Sequence, residues 1–294
     1  MILVTGATGR AGSQVVRALR ERDQEVRAFV RDPKRALELL GEEVEPAVGD
    51  LADASSVRAA LEGVDGLVLS CADDPRRVEW ETGAIDAATA AGVTRIVRLS
   101  TIGAEPGAPI AFWDWHGRID QHLRRAEADW VVLQSSFYMS NLLAGAEQVA
   151  REGRLFAPAG EARVAMIDPR DVGAVAAAVA SGEGEAAQTY LLTGLEAITF
   201  AQAAEALSAA TARRVEFVDV PDEGARQGLV GAGMPEFVAE QLVRIFGMLR
   251  RGVAEQVTDS VERLSGRPPR SFAQFAREHA RLFEPVHAFD VPGA

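Results

Sequence analysis

The chain opens Met1-Ile2-Leu3-Val4-Thr5-Gly6-Ala7-Thr8-Gly9-Arg10-Ala11-Gly12. A short apolar run ends in three glycines spaced three apart, and apolar Ala11, Val15, Ala18 and Leu19 then recur at helical spacing. The pattern predicts a strand, a tight turn and a helix whose first N–H groups point back at the loop. Gly6 permits the turn out of the strand, Gly9 lets the backbone approach a pyrophosphate with no Cβ in the way, and Gly12 lets the helix lie close on the sheet. Thr8, Arg10 and Ala11 complete the loop. A glycine triplet alone fits a tight turn in any α/β protein; its place after a strand and before a helix is what points to a dinucleotide.

Outward from this stretch, strands and helices alternate. Strands are expected at 25–30, 44–48, 65–71, 94–99 and 130–133, with helices at 34–40, 54–61 and 77–91 between them. The segment 65–71 is almost continuously apolar, as a central parallel strand covered on both faces should be. From Pro106 the reading changes to an aromatic loop, Phe112-Trp113-Asp114-Trp115-His116, leading into a helix through about Ala126. A helix is expected to begin in Ser136-Phe137-Tyr138-Met139-Ser140-Asn141, followed beyond Gly153 by short strands, an alanine-rich helix to Val179 and a strand at 189–192. Thr199 caps a helix at 200–210, and 215–220 reads as a strand returning to the sheet. The fold class is α/β, a Rossmann-type doubly wound parallel sheet. Residues 1–153 form the dinucleotide-binding core, and 154–294 form a smaller, mainly substrate-binding part with segments returning to the core.

Val238, Leu242, Ile245, Phe246 and Leu249 form an apolar stripe on a helix at 235–251, which either packs on the body or closes as a lid over a substrate cleft. Flanking Gly224, Gly228, Gly231, Gly233, Gly247 and Gly252 allow movement. A last helix, capped by Ser271, carries Phe272, Phe275, His279 and Phe283, and a short Pro/Gly-containing tail follows Pro285.

With 48% hydrophobic and 25% charged residues, the 294-residue chain can bury a large core. A net charge of −12 disfavours nucleic acid or an anionic membrane as the main partner. The single cysteine, Cys71, rules out an intramolecular disulfide and a cysteine-rich metal site, so no metal is expected and a reducing cytoplasm fits. No apolar run approaches the length of a membrane span, and the chain starts on the core strand without a basic leader. The aromatic residues Phe112, Trp113, Trp115, Phe137 and Tyr138 point to a small aromatic molecule as partner, and the chain is expected as a monomer or homodimer.

The opening Val-Thr-Gly-Ala-Thr-Gly-Arg-Ala-Gly, the Val-Arg-Asp-Pro of 30–33, the Gly-Asp-Leu of 49–51 and Ser-Phe-Tyr-Met-Ser-Asn at 136–141 resemble the NmrA-like atypical short-chain dehydrogenase/reductases. The tail Glu262-Arg263-Leu264-Ser265-Gly266-Arg267-Pro268-Pro269 is similar to tails in that family, so the resemblance covers nearly the whole chain. It implies a seven-stranded Rossmann domain, a smaller substrate-binding part, and NADP-dependent reduction of quinones, imines, triarylmethane-like dyes or ketones, or in some members cofactor sensing without catalysis.

Arg31 stands just beyond the second strand, where a guanidinium can grip the 2′-phosphate of NADP(H), and Arg10 adds a second positive charge. Asp32 would favour NAD if the register shifted by one residue. By resemblance Asp50 and Leu51 meet the adenine, and Cys71 and Ala72 line the nicotinamide ribose; Asp50 also reads as a turn residue. The usual proton donor of short-chain dehydrogenases is a tyrosine with a lysine four residues on, but Tyr138 and Tyr190 are followed by Leu142 and Gly194, and the one lysine is Lys34. His116-Gly117-Arg118-Ile119-Asp120 resembles instead the His-x-x-x-Glu of quinone- and dye-reducing members, with Asp120 placed to orient the imidazole. Ser100, at the end of the fifth strand, His116 and Tyr138 are the catalytic candidates. Trp113, Trp115, Phe137, Asn141 and Phe246 are the substrate-binding candidates. The expectation is an NADPH-dependent reductase of a planar apolar substrate, a polycyclic aromatic ketone or quinone; a noncatalytic NADP-binding sensor and a reductase of imines or dyes are the alternatives.

Overall fold

The structure, a computed structural model, describes residues 1–285, and the tail expected after Pro285 lies outside the described residues. The chain begins β1 (Ile2–Val4), α1 (Gly12–Arg20), β2 (Val26–Val30), α2 (Pro33–Leu40), β3 (Glu45–Val48), α3 (Ala54–Ala60) and β4 (Gly66–Leu69). It continues α4 (Arg77–Ala90), β5 (Arg95–Thr101), α5 (Ala111–Leu123) and β6 (Asp129–Ser135). After a 3₁₀ turn at Met139–Gly145 come α6 (Ala146–Glu152), β7 (Arg154–Ala157), β8 (Arg163–Val164), α7 (Pro169–Ala180) and β9 (Gln188–Leu192). β10 (Ile198–Thr199), α8 (Phe200–Thr211), β11 (Glu216–Asp219), α9 (Asp222–Gly231) and α10 (Glu236–Leu249) follow. The last elements are α11 (Ser260–Ser265), α12 (Phe272–Glu278) and a 3₁₀ turn at Ala280–Phe283.

These elements form two compact units, the first of Met1–Ser136, Pro169–Thr193 and Thr258–Pro269, the second of Phe137–Asp168, Gly194–Val257 and the chain from Arg270. The first unit leaves off at Ser136 rather than at 153, because β6 is the last strand before the chain departs and β9, which pairs with β6, comes from beyond it.

In the first unit seven parallel strands run in the order β3-β2-β1-β4-β5-β6-β9. β1 is in register with both neighbours, Val4 opposite Ala28 of β2 and Val68 of β4. The order reverses at β1, so successive crossovers cover opposite faces, as a doubly wound sheet requires. On one face Leu3, Leu67, Leu69 and Ile96 pack with Val57 of α3 and Leu61 just after it, Ile85 and Ala88 of α4, and Ile119 and Leu123 of α5. Each fully buried aliphatic side chain of this kind contributes about 1.5 to 3 kcal/mol. On the other, α7 lies so close to α1 that a Cβ on Gly173 would stand 2.6 Å from the Gln14 carbonyl carbon.

The second unit holds two small sheets, β10 antiparallel to β8 and β11 parallel to β7. The strand expected at 215–220 therefore pairs with β7 and does not return to the main sheet. Its β-branched alternation specified a strand; sequence held nothing to specify the partner. Thr199 caps α8 through a capping box with Gln202. The stretch 136–141 enters a 3₁₀ turn before α6. On α10, Leu249 is buried, while Val238, Leu242, Ile245 and Phe246 are half-buried and α9 buries no residue. Among the described residues no helix is long and apolar enough to cross a membrane.

Gly173→Ala should force α1 and α7 apart and lower stability by about 1 to 3 kcal/mol, measured by urea denaturation. Gly228→Ala, where a Cβ meets nothing within 4 Å, should leave stability unchanged or raise it slightly.

Candidate functional site

The order reversal at β1 leaves a crevice outside the carboxyl ends of β1 and β4, the place where open α/β sheets bind ligands. Gly6 turns out of β1 at φ 59°, and a Cβ there would stand 2.6 Å from the Ser70 Oγ. Thr5 ties the two strand ends together: its Oγ1 donates to the Ser70 carbonyl at 2.7 Å and accepts the Ser70 N–H at 2.9 Å. Thr5 was not among the sequence candidates, although a buried hydroxyl ending an apolar strand was a usable signal. At Gly12 a Cβ would lie 2.1 Å from the Gly6 carbonyl oxygen, so only glycine lets α1 start this close to the turn. The first turn of α1 carries no acidic residue and its N-cap, Ala11, makes no side-chain cap bond. That cradle fits a dinucleotide's pyrophosphate.

Arg31 is exposed just past β2. The Asp32 carboxylate is committed elsewhere: it caps α2, accepting the Lys34 and Arg35 N–H groups at 3.0 and 3.1 Å. The one-residue shift that would turn a carboxylate toward a ribose is thereby disfavoured, because it would uncap α2. Asp50 accepts the Ala52 N–H at 2.9 Å, which makes it a turn residue, and Leu51 is half-buried against the core. Cys71 is half-buried and its thiol is pushed up to about 11, first by burial and then by Glu81, so it carries no thiolate; Ala72 beside it is exposed.

The aromatic stretch expected as a loop is the first part of α5 itself. Asp114 in its first turn accepts the Gly107 N–H at 2.8 Å, which anchors the preceding loop. Trp113 is 4% exposed with its ring on Gly103, where a Cβ would meet the ring at 2.5 Å, so it packs the loop and has no open face. Trp115 is half-buried and lies edge-on to Phe112 at 5.4 Å. In the second unit Phe137 meets Phe200 and Phe246 at 6.0 and 6.1 Å between ring centres. Half-buried Tyr138 bridges to Ile167, and the Asn141 N–H donates to the Tyr138 carbonyl.

Around His116 the first unit buries a group of charges that sequence reading missed. Arg77 of α4 donates through Nε and Nη2 to Glu81 Oε1, at 2.9 and 2.7 Å, and through Nη1 to Asp73 Oδ1 at 2.5 Å. Arg98, on the central strand β5, donates through Nη1 to Asp120 Oδ1 at 2.5 Å. Its Nε lies 3.2 Å from Glu81 Oε2, within ion-pair distance but not aligned for a hydrogen bond. The Ser100 hydroxyl donates to Asp120 Oδ2 at 2.7 Å. Arg98 and Glu81 have no exposed side-chain surface, and Arg77 has 2%. The signal was available: a charge within the apolar run Ile96-Val97-Arg98-Leu99 demands a partner.

His116 sits between the two guanidiniums, Nε2 3.0 Å from Arg77 Nη1 and Nδ1 3.1 Å from Arg98 Nη2. Burial and then Arg77 and Arg98 hold its pKa well below the usual histidine value. It is therefore neutral at neutral pH and stores no imidazolium proton. Asp120 does not touch the imidazole, as its spacing suggested; it acts on Arg98, which does. Burial raises the Asp120 carboxyl and Arg98 draws it back only in part. Ser100 is the penultimate residue of β5, 4% exposed, and its hydroxyl is taken up by Asp120.

Residues 1–266 match the NmrA-like family, and the chain belongs to it. An NAD(P)H azoreductase of Xenophilus azovorans is 38% identical over 96% of this chain and 99% of its own length. A (4-alkanoyl-5-oxo-2,5-dihydrofuran-3-yl)methyl phosphate reductase of Streptomyces griseus is 36% identical over 97% of this chain and 100% of its own. The crystal structure of an NADPH-dependent quinone oxidoreductase of Escherichia coli in complex with NADPH superposes with a TM-score of 0.86, at 27% identity, covering 95% of this chain and 99% of that one.

Arg98→Met should destabilise the chain by about 3 to 5 kcal/mol in urea denaturation, since it leaves Asp120 and one side of Glu81 buried without a counter-charge. Arg214→Ala, which removes an exposed pair with Glu216, should cost less than about 1 kcal/mol.

Stability should also fall with acid because of His116. Its folded pKa lies below the unfolded value, so below about pH 6.5 the unfolded chain takes the proton first, and stability present above that pH is lost as pH falls. The slope is at most about 1.4 kcal/mol per pH unit. Urea titrations at several pH values should show His116→Gln with a slope shallower by about one proton.

Proposed function

We propose that this chain, an NADP(H)-dependent oxidoreductase of the azo-, quinone- and dye-reductase type, transfers hydride to a carbonyl of a planar, conjugated, apolar acceptor, a quinone or a polycyclic aromatic ketone. The observation that carries the acceptor class is the neutral His116 clamped between Arg77 and Arg98 in a chain with no Tyr-Lys pair. A group without a proton to spare suits an acceptor whose developing negative charge is delocalised. Flat aromatic faces suit the same acceptor, and in the first unit Trp115 with Phe112 offers them.

Bound NADPH supplies the hydride. In this reading the loop of Gly6, Thr8, Gly9, Ala11 and Gly12 takes the pyrophosphate, Arg31 and Arg10 meet the 2′-phosphate, Asp50 and Leu51 flank the adenine, and Cys71 and Ala72 flank the nicotinamide ribose. Ser100 contributes through Asp120 and Arg98.

NADPH oxidation with a panel of quinones, aromatic ketones, azo dyes and imines, coupled to product analysis, tests the proposal. Turnover of quinones or ketones with reduced product is expected. Turnover confined to azo dyes or imines would move the acceptor class, and tight NADP binding with no turnover on any of them would make the chain a cofactor sensor. Arg31→Ala should weaken NADPH by about 10- to 100-fold, the equivalent of about 1.5 to 3 kcal/mol for a charge-assisted contact, and barely change NADH. Equal losses by calorimetric titration would remove Arg31 from the phosphate.

A further inference from the structure

The clamp around His116 contains more donors than the ring can satisfy. A neutral imidazole has one lone pair and one N–H, yet a guanidinium nitrogen faces each of its nitrogens, Arg77 Nη1 at 3.0 Å from Nε2 and Arg98 Nη2 at 3.1 Å from Nδ1. Only one arginine can donate to the ring. Arg77 Nη1 already has a carboxylate, Asp73 Oδ1, at 2.5 Å, whereas the contact Arg98 Nη2 makes is His116 Nδ1. The lone pair therefore belongs at Nδ1 and the proton at Nε2.

We infer that Arg98 and Arg77 are positioning residues: Arg98 fixes the His116 imidazole as the neutral Nε2–H tautomer, and Arg77 on the other side keeps a second proton off the ring. Neither guanidinium is free to swing away. Arg98 is held through Nη1 by Asp120, which the Ser100 hydroxyl holds in turn, and Arg77 is held through Nε and Nη2 by Glu81. The sequence spacing serves this arrangement, for His116 and Asp120 stand one turn apart on α5 and grip two nitrogens of the same guanidinium. The charged groups around the ring are Arg98 from β5, Arg77 and Glu81 from α4, Asp73 from the loop before α4, and Asp120 from α5 itself. The three carboxylates make their contacts with the guanidiniums, so a proton added to the ring meets two cations first. The outcome is a neutral ring whose protonation does not change across the physiological pH range. Its part in the reaction rests on the reductase reading above; the tautomer does not.

The test is nitrogen-15 NMR of the protein with labelled histidine, without added ligand, between about pH 5 and 8, with the His116 signals assigned by their loss in His116→Gln. The expected result is one neutral Nε2–H pattern that does not titrate over that range. A ring that titrates near pH 6.5, or that carries its proton on Nδ1, overturns the inference in the unmodified protein. Arg77→Gln, which keeps a donor and removes the charge, should raise the His116 pKa by about one unit or more. It should also give the pH profile of NADPH-dependent reduction an acid limb at that pKa. A ring that stays untitrated in Arg77→Gln removes Arg77 from the role. An absence of turnover with every acceptor would sink the reductase reading and leave the NMR result standing.

Discussion

A positive charge buried on the central strand constrains this chain more than any other single feature. Arg98 has no exposed side-chain surface, and an unpaired guanidinium there would cost several kcal/mol. Glu81 must come from α4 and Asp120 from α5 to meet it, so the two helices are held against β5 by charge as well as by Ile85, Ile119 and Leu123. Such a group adds little net stability over well-packed apolar residues, but it punishes loss of any member heavily. Arg77 Nη1, which also holds Asp73, and Arg98 Nη2 are the nitrogens that face His116.

The opening loop obeys a constraint of space where the charged group obeys one of charge. Gly6 and Gly12 touch so closely that no side chain fits, and Thr5 laces the end of β1 to Ser70 after β4. Both devices lie in the first unit, and both involve the segment that follows β4: Thr5 holds Ser70, and Arg77 holds Asp73.

Local patterns made most of the fold legible. The apolar runs, glycine turns and caps located six of the seven strands of the main sheet before β9 and then β9 itself, each within a few residues. Asp32 illustrates what local reading can weigh but not decide: in the sequence its carboxylate is a rival for the ribose, and only the fold commits it to capping bonds with Lys34 and Arg35. Phe112 to His116 were misread as a loop because aromatic residues have modest helix propensity, and packing of Trp113 on Gly103 overrode it.

By itself the sequence determined the α/β alternation, the glycine loop, the position of Arg31 and the absence of a Tyr-Lys pair, because each depends on residues near one another in the chain or on composition. Tertiary structure alone decided that β11 pairs with β7, that Asp120 reaches Arg98 and not His116, and that the imidazole stands between two arginines brought from α4 and β5. The reason is physical: periodicity fixes which face of an element is apolar, but a buried charge takes its character from whatever partner the packing of distant segments supplies, and His116 is a candidate acid in the sequence and a neutral ring between two guanidiniums in the fold.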